Sequence, residues 1–150
     1  MTTVLYVDDE SPLRRAVHAW LGRHGTVVHS ARSIAGAKRC FEEFTFDGVF
    51  IDLWLADGSG FELYDWLAEY HPDIAAHVAF VTGDILRTQE TQRQLSMLGI
   101  PVLAKPFDLT ELDRFVSVWT ADHLPHDAVN GGRRNGDRAA ALPHAPRPPA

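Results

Sequence analysis

The sequence predicts an α/β fold in which a five-stranded parallel sheet is doubly wound by five helices. Three observations predict it. Apolar runs of strand length recur five times, stretches of helical length and period separate them, and the runs are apolar throughout rather than alternating. Strands of that kind are buried on both faces, and in a parallel sheet the crossover helices provide the cover.

The first run is "TVLYV" (3 to 7). Behind it, Ser11 as a cap and Pro12 in the first turn open a helix whose stripe is Leu13, Ala16, Val17, Trp20 and Leu21. "TVVHS" (26 to 30) precedes a helix over 33 to 44, and "GVFIDL" (48 to 53) precedes one over 58 to 70. "HVAFV" (77 to 81) is followed by "DILRTQETQRQLSML" (84 to 98), the least amphipathic of the helices, polar on all sides in its middle and therefore expected to dock weakly. "PVLA" (101 to 104) leads to a last helix opened by Asp108, with Glu111 three residues on and a stripe of Leu109, Leu112, Val116 and Trp119. Five repeats of strand then helix at this size point to the flavodoxin-like arrangement, strand order 2-1-3-4-5. From Asp122 the pattern stops: residues 122 to 150 are rich in Pro, Gly, Ala and Arg with almost no large apolar side chain, which predicts a disordered tail and no output domain after residues 1 to 121.

The composition, 45% hydrophobic and 23% charged, is that of an ordinary globular chain. The formal charge is -6, and residues 1 to 121 hold 17 acids against 10 bases. Such a surface argues against direct nucleic-acid binding. Cys40 is the only cysteine, so no disulfide framework exists and a reducing cytoplasm is the expected compartment. There is no basic segment followed by an apolar stretch at the N-terminus and no run of eighteen apolar residues, so neither export nor membrane spanning is predicted. None of the eight histidines makes a metal-ligand spacing with another His or Cys.

In a doubly wound sheet, ligands sit beyond the carboxyl ends of the strands where the winding reverses, here between the first and third. Asp8 and Asp9 end the first strand, Asp52 lies at the end of the third, Thr82 and Gly83 follow the fourth, and Lys105 and Pro106 follow the fifth. Adjacent carboxylates repel unless a cation or proton intervenes. Asp8, Asp9 and Asp52 form a hard, all-oxygen set that suits Mg²⁺, which keeps several waters and needs one or two carboxylates. Lys105 and Thr82 suit anionic phosphoryl oxygens. The set fits phosphoryl transfer, with a carboxylate placed between metal and lysine able to act as nucleophile. Taken singly, each piece has a plainer reading, as helix-dipole complement, solvated charge or turn. Their combination at the ends of four strands singles out the site.

At these residues the chain resembles the receiver domains of two-component response regulators. "VDDE", "FIDLWLADGSGFEL", "FVTGD" and "LAKPF" match that family in order and spacing across residues 1 to about 121. The resemblance implies that Asp52 accepts a phosphoryl group from a histidine kinase or a histidine phosphotransfer protein. It implies that Asp9 binds Mg²⁺ directly, Asp8 mainly through water, and the Trp54 carbonyl as a further ligand alongside Asp52. Lys105 would pair with the phosphoryl group, Thr82 would swing toward it, and the amides of Trp54 and Gly83 would cradle its oxygens. The Lys105-Pro106 bond would be cis, as is typical of the family.

Three positions depart from the family pattern. Ala56 replaces a common proline, Val102 stands where many receivers have a Tyr or Phe that moves with the Thr, and Trp54 puts a large ring beside the site. The family resemblance also implies a protein partner, or a second copy, on the face formed by the fourth helix, fifth strand and fifth helix. Phe107 and Phe115 are candidate anchors there, although an aromatic in or next to an amphipathic helix is more often core. Arg133, Arg134, Arg138 and Arg147 read as a solvated linker.

Two other classes compete. Haloacid-dehalogenase-type phosphatases use a nucleophilic Asp, a Thr, a Lys and Mg²⁺, but in a first-strand Asp-x-Asp pattern with a cap, whereas Asp8 and Asp9 are adjacent and no insertion is long enough. A receiver-like module that binds without being phosphorylated is the other, and the filled acidic, Thr and Lys positions weigh against it.

Overall fold

The computed structural model describes residues 1–83 and 88–123. Its strands are β1 (Thr3–Val7), β2 (Val27–Ala31), β3 (Gly48–Asp52), β4 (Trp54–Leu55), β5 (Gly58–Ser59), β6 (Val78–Thr82) and β7 (Val102–Ala104). The helices are α1 (Ser11–Arg23), α2 (Ile34–Glu43), α3 (Gly60–Tyr70), α4 (Pro72–Ala75), α5 (Gln89–Leu98) and α6 (Leu109–His123). Five strands form one parallel sheet in the order β2-β1-β3-β6-β7, the predicted 2-1-3-4-5 winding. β4 and β5 form a separate antiparallel hairpin just after β3.

The sheet divides two cores by the period-two alternation of its strands. Leu5, Val7, Val49, Ile51 and Phe80 pack toward α2 and α3, while Val4, Tyr6, Phe50, Ala79 and Val81 pack toward α1 and α6. Every residue of β3 and β6 is buried, which is why these runs are apolar up to the polar residue that ends each, Asp52 and Thr82. Trp119 of α6 lies over the start of β3, and a Cβ on Gly48 would meet its ring at 2.1 Å. Among the described residues no helix is long and apolar enough to cross a membrane.

Several local expectations are revised. Glu10, not Ser11, is the N-cap of α1, and it makes no side-chain cap bond; the Ser11 hydroxyl accepts from Arg15 instead, at 2.8 Å. The five expected helices are joined by the single turn α4, in which Pro72 sits in the first turn. α3 carries a capping box of Ser59 and Glu62, and the Asp108 amide donates to Glu111 at the start of α6. α5 buries only Thr91, with Leu95 and Leu98 packed partly inward, so it is poor in apolar contacts rather than unsided. Residues 84 to 87 of the expected fourth helix, and the expected tail from residue 124, lie outside the described residues. α6 itself runs on through Asp122 to His123.

Gly48→Ala should destabilise the protein by roughly 1–3 kcal/mol, because the buried Trp119 ring has to shift. The check is a urea unfolding curve, in which the midpoint falls at unchanged slope. An unmoved midpoint would show that the ring yields freely.

Candidate functional site

Parallel pairing brings the strand ends into register. Val7 is opposite Ile51, and Asp52 is opposite Val81, so Asp8, Asp52 and Thr82 emerge at one edge of the sheet. Thr82 pairs with Ala104, and Lys105 follows, its amide donating to the Thr82 carbonyl at 2.8 Å. The Lys105-Pro106 bond is cis. All the acids predicted for the site therefore open onto the same end.

Lys105 organises the cluster. Its Nζ is 3.0 Å from Asp8 Oδ2, 2.9 Å from Glu10 Oε2 and 3.1 Å from Asp52 Oδ2. Asp8 is fully buried: Oδ2 also accepts from the Tyr6 hydroxyl at 3.0 Å, and Oδ1 accepts from the Glu10 amide at 3.0 Å. The Asp8 carbonyl accepts from Arg14 Nη1 at 2.7 Å. Asp52, only 5% exposed, accepts from the Trp54 amide on Oδ1 at 3.2 Å. Asp9 is exposed, yet Asp8, Asp9 and Asp52 can each turn one oxygen to within 4.8 Å of the others.

Burial and neighbouring charge together explain the titration of these groups. Burial pushes the Asp52 carboxyl up to about 6, with Asp8 adding to the rise and the Trp54 amide and Lys105 opposing it. Burial pulls the Lys105 ammonium down, but its carboxylate partners, Glu10 and Asp8 foremost, outweigh that and the net shift is upward. The Tyr6 phenol is pushed upward by burial and then by Asp8, so it stays a donor. One lysine thus faces more negative charge than it neutralises. The donor set, hard oxygens at one strand edge with one of them exposed, fits a small divalent cation.

The sequence matches the response regulator receiver domain family over residues 4–117. The chain belongs to that family. This receiver is similar to the response regulator protein PilR of Pseudomonas aeruginosa, 31% identical over 114 residues, 75% of this chain and 25% of that protein. The receiver thus spans about a quarter of that relative's length. Among solved structures, it resembles the non-phosphorylated HemR receiver domain of Leptospira biflexa, with 25% identity, a TM-score of 0.70, and coverage of 84% of this chain and 99% of that one. The TrrA response regulator of Thermotoga maritima, solved in complex with Mg²⁺ and BeF, has the same fold at 22% identity and a TM-score of 0.67, covering 79% of this chain and 99% of that one.

The receiver's site contains residues that sequence reasoning left unassigned. Glu10 takes one of the three lysine contacts, and Tyr6 braces Asp8. Tyr6 was legible, since a residue two before Asp8 on a strand shares its side. Gly60 is required by close approach: a Cβ there would meet the Asp52 carbonyl oxygen at 2.6 Å. Asp57 serves the loop rather than the cluster, its carboxylate accepting from the Ile34 and Ala35 amides at 2.9 and 3.1 Å, which holds its pKa down. It thereby ties the β4–β5 turn to the start of α2.

A group whose folded pKa is raised favours folding when protonated, so its contribution falls as pH rises from the ordinary carboxylate value of about 3.9 toward the folded value. In a chelator, the stability of the receiver should therefore decline between pH 4 and about 6. Asp52→Asn should flatten that decline, as read from melting temperature against pH. Parallel curves for the two proteins would remove Asp52 as its source.

Proposed function

We propose that this receiver is the phosphoacceptor of a two-component relay, with Asp52 as the residue modified. The observation that carries the reading is the position of Lys105 Nζ, in contact with Asp8 and Asp52 at once beside an exposed Asp9. In the transfer, an Asp52 carboxylate oxygen forms a bond to phosphorus as the bond to a histidine nitrogen of a kinase or phosphotransfer protein breaks. The proton the imidazole needs comes from solvent, and the product is an acyl phosphate.

Each residue has a role in that step. Lys105 leaves Asp52 for the incoming phosphoryl oxygens, and the shared contacts with Asp8 and Glu10 keep it at the site. The Trp54 and Gly83 amides and the Thr82 hydroxyl donate to the remaining oxygens. Asp8, Asp9, Asp52 and the Trp54 carbonyl would hold Mg²⁺, which when bound neutralises the carboxylates and the phosphoryl group. No external substrate is turned over.

The receiver unit, expected over residues 1 to 121, extends to the end of α6 at His123, and it works in a cytoplasmic protein. The readout is a protein partner, or a second copy, on the face of α5, β7 and α6, with Val102 in place of an aromatic relay. Trp54, half-buried beside Asp52, shields the acyl phosphate from in-line water. The phosphatase reading loses ground because Asp8 and Asp9 are adjacent rather than in an Asp-x-Asp pattern, and Asp52 stands apart from them at the end of β3.

Incubation with acetyl phosphate and Mg²⁺ should add one base-labile phosphoryl group to the native chain, seen by intact mass, and none to Asp52→Ala. Modification of Asp52→Ala to the same extent would place the acceptor elsewhere. Steady hydrolysis of small phosphate esters would restore the phosphatase. Trp54→Asn should shorten the half-life of the phosphorylated form several-fold; an unchanged half-life discards the shielding role.

A further inference from the structure

At the end of the molecule opposite the acidic site, the C-terminal turns of α2 and α3 carry a set of aromatic rings that the signalling chemistry does not use. Phe41 meets Trp66 edge-on at 5.7 Å and His71 at 4.8 Å, and Trp66 meets Tyr70 at 5.8 Å. Tyr70 is 61% exposed, while Phe41, Trp66 and His71 are half-buried. An exposed tyrosine ring continuous with half-buried ones offers a partly exposed aromatic surface on which a partner can dock. Helical spacing sets Glu42, Glu69 and Asp73 around it, all exposed, and the nearby Lys38 ammonium already lies over the Trp66 ring at 5.5 Å. The surface is therefore aromatic within an acidic rim.

The chain itself contains a segment of matching chemistry. "ALPHAPRPPA" (141 to 150) places Pro143, Pro146 and Pro149 three residues apart and adds Arg147. In a polyproline II helix, with three residues per turn, these prolines fall along one edge. Prolines presented in that way dock on aromatic-lined surfaces at little conformational cost. Residues 124 to 150 hold 4 Arg against 2 Asp, a net +2, whereas residues 1 to 123 hold 10 bases against 18 acids, a net -8. The charges attract.

The anchor point is also suitable. Asp122 near the end of α6 is bonded to His77 Nε2 at 2.9 Å, and His77 Nδ1 bonds the Asp47 carbonyl at 2.7 Å. Asp47 directly follows Phe46, whose ring packs on Phe41 at 4.9 Å. The last helix thus ends at the same end of the sheet as the aromatic patch, on the opposite face, and the 19 residues between His123 and Pro143 reach roughly 60 Å when extended, enough to cross to it.

We propose that residues 141 to 150 dock in cis on the Phe41, Trp66 and Tyr70 surface of α2 and α3, the proline edge on the rings and Arg147 toward the acidic rim. This occupancy is independent of phosphoryl transfer and leaves the far end of the sheet untouched. The test compares the full chain with its Pro143→Ala, Pro146→Ala, Pro149→Ala triple variant by nitrogen-edited NMR. Of the four tryptophan indoles, that of Trp66 should shift in the variant, with those of Trp20, Trp54 and Trp119 unmoved. A second variant, Tyr70→Ser at an exposed position, should lower the heteronuclear NOE of residues 142 to 147 in a chain whose circular dichroism is unchanged. An unmoved Trp66 indole, or a tail NOE indifferent to Tyr70, overturns the proposal. So does a Trp66 shift that scales with protein concentration, which would mean docking onto a second copy.

Discussion

The crowding of three carboxylates around one ammonium is the constraint on which the rest of the structure depends. Asp8, Glu10 and Asp52 converge on Lys105 at about 3 Å, with Asp8 fully buried and Asp9 exposed beside them. Charges at that spacing interact strongly where water is excluded. Removing the lysine would leave Asp8 and Asp52 facing one another in the sheet edge. Keeping it leaves a residual negative charge, which adds to the burial that lifts Asp52 and leaves the cluster suited to a cation. The site is therefore stable enough to fold but unsatisfied enough to bind.

The scaffold exists to make this crowding possible. A parallel sheet puts all its carboxyl ends on one edge, and the reversal of winding at β1 and β3 opens a gap there between crossovers. The buried faces of β1 and β3 hold the register that sets Asp8 beside Asp52. Smaller contacts finish the placement: Tyr6 orients one Asp8 oxygen, the Glu10 amide takes the other, and Gly60 lets α3 begin against the Asp52 carbonyl. Asp57 then pins the following turn to α2 across 23 residues of sequence.

The central strands are readable because burial on both faces leaves no polar position before their last residue, and the site residues are readable because each closes or follows such a run. What escaped the sequence was decided by tertiary contact. Ser11 has the chemistry of a cap, but the Asp8 carboxylate already receives the Glu10 amide, so Glu10 is the cap, the helix starts one residue earlier, and the serine bonds Arg15. The β4–β5 hairpin has two residues per strand, too short for any alternation to show. Glu10 looked like a third member of an acidic run. Only the fold reveals that it lies across from a lysine 95 positions away.

The same contacts also distribute rigidity unevenly, which bears on how a charge change at the site would travel. α6 is fastened along its length, by Asp113 to the Trp20 indole at 3.1 Å, by Thr120 to Thr2 at 2.6 Å, and by Asp122 to His77. Trp119 adds a buried ring against Phe50 at 4.9 Å. α5 buries a single threonine and follows directly on the strand that ends in Thr82. Elements with few buried contacts open at the lowest free energy. A phosphoryl group that draws Thr82 and Lys105 toward Asp52 would strain both β6 and β7, but only the α5 side has little packing to lose. If the proposed transfer to Asp52 takes place, α5, poorer in buried contacts than the well-fastened α6, is the element that would yield first.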